Sequence, residues 1–95
     1  MLVVGRKIGE MFTVGEHTLK VLPGERGRIR LAVNPARPGY KKSINIKGET
    51  YSLAWLRKGE VLTLETGVAL NYYSNTFRYA RVSIDAPRSV HVDRI

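Results

Sequence analysis

The stretch Arg28-Ile29-Arg30-Leu31-Ala32-Val33-Asn34-Pro35-Ala36-Arg37, "RIRLAVNPAR", decides the architecture of this chain. Ile29, Leu31 and Val33 alternate with Arg28, Arg30 and Ala32, so in an extended strand one face packs while arginines leave from the other. Asn34 and the prolines at 35 and 38 end the ladder, because proline has no N–H to donate. Fifty-one positions on, residues 79–88 read "YARVSIDAPR". Two arginines, the apolar rhythm and an Asn or Asp before a proline turn fall in the same register.

The repetition extends outward. "RKIGEMFTVG" (6–15) and "RKGEVLTLETG" (57–67) each place Gly-Glu after a basic pair and before an apolar run, at an offset of 50 that changes by one residue farther along. Short β-rich segments at 11–14, 17–22, 28–33 and 43–47 in the first half answer 61–64, 68–74, 78–84 and 89–93 in the second. Gly15-Glu16 and "PGERG" at 23–27 separate the early ones, which is the hairpin signature. An internal duplication is the economical reading. Residues 1–47 form the first copy, 48–50 a link and 51–95 the second, within one domain. The junction "GETYSLAWLRKG" (48–59) reads two ways. Capping at Thr50 or Ser52 and termination at Gly59 suit a short helix over 50–58, whereas its equivalence to the opening "LVVG" predicts a strand. The strand is preferred.

Composition bounds the function. Without cysteine there are no disulfides, thiolate metal sites or cysteine nucleophiles. His17 and His91 lack metal-ligand spacing, and neither a metal nor a cofactor is expected. No apolar run approaches a membrane span, and the first residues lack a basic stretch followed by a long apolar core, so a soluble, unprocessed, cytoplasmic protein is expected. There is no Gly-rich phosphate loop leading into a helix, no nucleophile elbow and no paired carboxylates, and an enzyme is not expected. The formal net charge of +8 favours a polyanionic partner. It is concentrated in residues 1–47, with ten Lys/Arg against three Glu, while residues 48–95 carry six against five Asp/Glu.

The opening "MLVVGRKIGEMFTVGE" (1–16), a hairpin, an arginine-bearing strand ending Val-Asn-x-x-basic and a further alternating strand together resemble the carbon storage regulator family (CsrA/RsmA). The second half resembles it again through "RKGEVLTL" (57–64) and "ARVSIDAPRSVHVDR" (80–94). The resemblance implies an all-β fold of two five-stranded repeats intertwined into one pseudo-dimeric sandwich or barrel-like unit. It implies a post-transcriptional, translation-regulating protein that binds GGA-containing RNA loops or leaders. Each family site joins the first strand of one copy to the fifth of the other. Carried onto this chain, one site is complete: Leu2, Val3, Val4, Gly5, Arg6 and Lys7 with Val90, His91, Val92 and Arg94. The other would join Ser52–Arg57 to Ile44–Gly48, with Trp55 and Leu56 in place of Gly and Arg and with Gly48 where arginine is needed. Lysine or glycine cannot replace arginine's planar fork on a guanine edge, so the second site is expected to be disabled.

The chain is therefore expected to be a monomeric pseudo-dimer, the alternative being two chains that exchange halves. Other functional readings remain: a protein-interaction adaptor or antagonist, or a basic ribonucleoprotein component. Tyr72, Tyr73, Phe77 and Tyr79 are expected to stabilise one hairpin by cross-strand pairing, with base stacking beside Arg78 and Arg81 the alternative. Trp55 is expected to plug the core or the contact between copies.

Overall fold

Alternation of apolar and polar residues generates ten strands, which a computed structural model describes over residues 2–95. In chain order these are β1 (Leu2–Lys7), β2 (Met11–Val14), β3 (His17–Glu25), β4 (Arg28–Asn34) and β5 (Ser43–Ile46), then β6 (Glu49–Arg57), β7 (Val61–Glu65), β8 (Val68–Asn75), β9 (Tyr79–Asp85) and β10 (Val92–Arg94). They form two antiparallel sheets, of order β1-β9-β8-β7 and β10-β2-β3-β4-β6-β5. Among the described residues there is no helix, and so none long and apolar enough to cross a membrane.

The inward residues of both sheets meet in one hydrophobic core. Phe12, Val14, Leu19, Val21, Ile29, Leu31, Val33, Ala54 and Leu56 come from the six-stranded sheet; Val4, Leu62, Leu64, Val68, Leu70, Ala80, Val82 and Ile84 face them. Burying one such large aliphatic or aromatic side chain contributes about 1.5–3 kcal/mol, which opposes the entropy lost in ordering the strands. The sheets stay open at their edges; they do not close into a barrel.

Each half lends its first strand to the other. β1 pairs with β9, setting Val4 opposite Val82, Gly5 opposite Arg81 and Arg6 opposite Ala80. β6 pairs with β4, setting Ala54 opposite Leu31, Trp55 opposite Arg30 and Leu56 opposite Ile29. The two ladders thus coincide when β1 is moved by 50 positions and β4 by 51. The Gly-Glu motifs form matching corners where the chain leaves one sheet for the other. Glu10 N–H donates to the Lys7 carbonyl at 3.0 Å and its carboxylate accepts from Lys7 N–H at 2.8 Å. Glu60 makes the same two contacts with Arg57, both at 3.0 Å. Gly9 and Gly59, at φ 91° and 87°, take the left-handed conformation that each corner requires.

The one-residue change of offset has a location. Thr13 pairs with Thr18 and Val14 with His17, whereas Thr63 pairs with Ala69 and Glu65 with Val68, leaving Leu64 as the extra residue of a β-bulge. Leu64 is fully buried, as Val14 is at the matching position, so the bulge leaves the inward face of the strand unchanged.

Residues 49–57 are strand, the reading preferred for the junction over a short helix. Other boundaries differ from the sequence reading. The segment 48–50 is no free link: Lys47 and Gly48, at φ 50° and 87°, make a two-residue hairpin turn, and Glu49 and Thr50 already belong to β6. The last strand starts at Val92 instead of residue 89, because Val90 N–H donates to the Pro87 carbonyl and extends the proline turn.

Candidate nucleic-acid interface

β1 and β10 come from opposite ends of the sequence and border one groove. β10 pairs with β2, setting Val92 opposite Val14 and Arg94 opposite Phe12. Directly opposed residues share a face, so Val92 and Arg94 point to the inner side of their sheet, toward β1. A cavity of about 350 Å³ lies between Leu2, Val3 and Val4 on one wall and Val92, Asp93 and Arg94 on the other. A second, of about 250 Å³, adjoins it through Leu2 and Val92 and continues along Ile84, Asp85, Ala86, Pro87, Arg88 and Val90.

The groove is held at both ends. Arg6 donates from Nε to the Met11 carbonyl at 3.1 Å and from Nη2 to the Ile95 carbonyl at 2.9 Å, while Glu10 lies 3.5 Å from the guanidinium. The Met11 carbonyl also accepts from Ile95 N–H at 3.2 Å. Arg6 therefore clamps the end of β10 against the β1–β2 corner. At the other end the His91 carbonyl accepts from Gly15 N–H at 2.7 Å, and Val90 packs against the core.

The ten residues expected to form a site thus take different positions. Leu2, 49% exposed, Val3, Val92 and Arg94 line the groove. Val4 reaches the wall from the core. Lys7 is exposed at the corner, and the exposed His91 imidazole lies 2.7 Å from the Asp93 carboxylate. Gly5 is covered: a Cβ placed there would stand 2.1 Å from Tyr79 Oη, so the ring crosses β1 only because position 5 has no side chain. Arg81 stacks over that ring at 4.9 Å. The second cavity's Pro87 and Arg88 were not among the expected residues; their signal was the proline turn shared with residues 34–37.

The corresponding place beside β6 is partly occupied by the chain itself, leaving a cavity of about 300 Å³ lined by Gly39, Tyr40, Ala54, Trp55 and Leu62. β5 folds back on β6, with Ile44 opposite Tyr51 and Ile46 opposite Glu49, instead of lying beside β7 as β10 lies beside β2. Ser52 occupies the ladder position of Leu2, but it is buried, and its Oγ accepts from Arg37 N–H at 2.7 Å. The Lys42 carbonyl accepts from Leu53 N–H, which seats the 35–42 loop along β6. Arg37 reaches on to the Thr63 carbonyl on β7.

Trp55, at the ladder position of Gly5, is not a core plug. Its side chain is 39% exposed on the outer face of the six-stranded sheet, with the Arg28 and Arg30 guanidiniums 4.2 and 5.2 Å from the ring centroid. Both ladders therefore carry an aromatic ring stacked with arginine, contributed by β9 in one and β6 in the other. No family model, curated protein or solved structure matches this chain.

Proposed function

We propose that the protein is a non-catalytic, cytoplasmic RNA-binding regulator of the carbon storage regulator type, a fused pseudo-dimer with one working site. The observation that carries this reading is the β1/β10 groove, assembled from the two segments in which the resemblance puts the site, whereas β5, the last strand of the first half, pairs with β6 and borders no such groove. Reciprocal loan of first strands supports the pseudo-dimer, since β1 on β9 and β6 on β4 are contacts that two intertwined subunits would otherwise make. Arg94 supplies the chemistry for base discrimination: it lines the groove, and its guanidinium makes no hydrogen bond or ion pair with the described residues. Its fork suits the O6 and N7 acceptors of guanine. Arg88 and Lys7 add positive charge for the phosphates around it.

The test is binding of a GGA-loop RNA hairpin and a scrambled-loop control, with stoichiometry read by native mass spectrometry. One hairpin per chain, with preference for GGA, is the expected result. Two equal sites, or equal binding of both loops, would overturn it. A mass near twice 10.7 kDa at micromolar concentration would replace the monomeric pseudo-dimer by exchanged halves.

One observation favours a second reading, a protein adaptor or antagonist. Phe77, 85% exposed at the tip of the β8–β9 hairpin, lines a cavity together with Gly24, Glu25, Arg26, Asn75 and Thr76. If a protein docks there, Phe77→Ser abolishes its capture and leaves RNA affinity unchanged.

A further inference from the structure

The outer face of the six-stranded sheet holds a second concave site. Arg30, Lys41, Lys42, Leu53 and Trp55 line a cavity of about 230 Å³, and no carboxylate is among them. Arg28, also stacked on Trp55, has a carboxylate partner in Glu25 at 2.6 Å. Arg30 has none, and its Nε is a buried donor without a hydrogen-bond acceptor among the described residues. Leaving a buried charged donor unmatched costs free energy that an arriving acceptor recovers. Three cations thus surround a floor of Leu53 and the exposed part of an indole.

That combination selects the ligand. A bare inorganic anion would not use the apolar floor, and an apolar ligand would leave Arg30 unmatched. A planar base joined to a phosphate satisfies both. The cavity is smaller than drug-sized pockets, and its size suits one base. We infer that this surface binds one nucleotide unit of single-stranded RNA without regard to sequence: the base packs on Leu53 and Trp55, and the phosphate accepts from Arg30, Lys41 and Lys42. The reading rests on the RNA function proposed above for the source of the strand. Three strands, β2, β3 and β4, separate β10 from β6, a distance of about 19 Å at the usual strand spacing. The unit therefore belongs to a single-stranded flank, outside the loop held in the β1/β10 groove.

Trp55 is the sole tryptophan, so its fluorescence reports this site alone. The intact protein is titrated with oligouridylate, uridine monophosphate, inorganic phosphate, and a GGA hairpin with and without a single-stranded tail. Oligouridylate is expected to quench Trp55 in a salt-dependent way, and Arg30→Gln to weaken that binding at least about tenfold; Lys41→Gln, on the exposed rim, should weaken it less and keep the fold intact. The tailed hairpin should quench and the blunt one should not. Mononucleotide or phosphate binding as tightly as oligouridylate would overturn the assignment to a strand. Unchanged Trp55 emission at saturating oligouridylate, or unchanged affinity in both Arg30→Gln and Lys41→Gln, would overturn the site. Failure of the blunt hairpin to bind, with oligouridylate quenching retained, would instead refute the GGA groove and leave this site standing.

Discussion

The last strands of the two halves are placed differently: β10 borders an open groove with β1, whereas β5 folds back on β6 and the 35–42 loop covers part of the corresponding place, where a cavity of about 300 Å³ remains. Their flanking ladders share a register, so the difference arises in the connection between halves. β10 delivers the chain to Arg6, four residues beyond the start of β1 at Leu2. A β5 placed beside β7 in the same way would arrive near Leu56, and the chain would have to return about 13 Å along β6 to reach Ser52. Glu49–Tyr51 span that only when fully extended, with no residue left to reverse direction. The chain turns at Lys47 and Gly48 instead, and β5 takes β6 as its neighbour. The short connection between the halves thus sets the neighbour of β5.

Substitution of the paired positions Arg6 and Leu56 should separate the roles of the two ladders most strongly. Leu56 is fully buried where Arg6 clamps β10. Leu56→Ala is expected to cost about 2–5 kcal/mol in urea unfolding, as large-to-small changes in packed cores do. Arg6→Ala removes two hydrogen bonds and should cost about 2 kcal/mol, at the low end of that range. It should also speed amide exchange at Ile95 while leaving β6 protected. Amide exchange at Ile95 unchanged in Arg6→Ala would mean that Arg6 does not clamp β10.

RNA binding should split along the same line. Arg94→Ala is expected to cost about 1–3 kcal/mol for a GGA loop and to erase its preference over a scrambled loop. Lys47, in the β5–β6 hairpin turn, should leave that preference intact on replacement by alanine, with a change in salt slope of at most about one. Discrimination surviving in Arg94→Ala would remove the base-reading role from the groove.

The exchanged aromatic rings provide a finer comparison. Gly5→Ala places a methyl group where Tyr79 Oη now stands, so the ring must swing off β1 at a cost of about 1 kcal/mol. In a Tyr79→Ala background the same substitution should cost less, because nothing then covers position 5. On the other ladder Trp55 points outward over Arg28 and Arg30, and Trp55→Ala should lose two cation–π contacts without opening the core. Additive effects of Gly5→Ala and Tyr79→Ala would show that the ring does not depend on the glycine.

Local patterning made most of this fold legible. "RIRLAV" and "ARVSI" alternate with period 2, and β4 and β9 present the expected residues to the core. The Gly-Glu pairs marked the two corners because a left-handed glycine and a carboxylate returning to the backbone are local chemistry. Pairing was harder to read. Nothing in "SINI" distinguishes β6 from β7 as its neighbour; the choice follows from a connection length acting across two sheets. Hydrophobicity alone predicts burial of Trp55, whereas strand parity sends Ala54 and Leu56 inward and Trp55 out. The cavity beside it combines residues from β4, the 35–42 loop and β6, which no sequence window contains.

The smallest expected effect concerns alkaline pH and the β5–β6 hairpin alone. Tyr51 lies in β6 opposite Ile44, and burial, reinforced by the nearby Glu49 carboxylate, raises its phenol above the ordinary tyrosine range. The native state therefore holds this proton more tightly than the unfolded chain does. Below about pH 10 both states are protonated and the difference contributes nothing. As pH rises beyond that, the unfolded chain ionises first, and stability falls until the native phenol also loses its proton. Tyr51→Phe should flatten this part of the decline in urea midpoints measured across the alkaline range. Amide exchange in wild type should accelerate in β5 and β6 before it does in β10 and β2. A decline equally steep in Tyr51→Phe would assign the alkaline loss to other groups and remove the difference between the two edges.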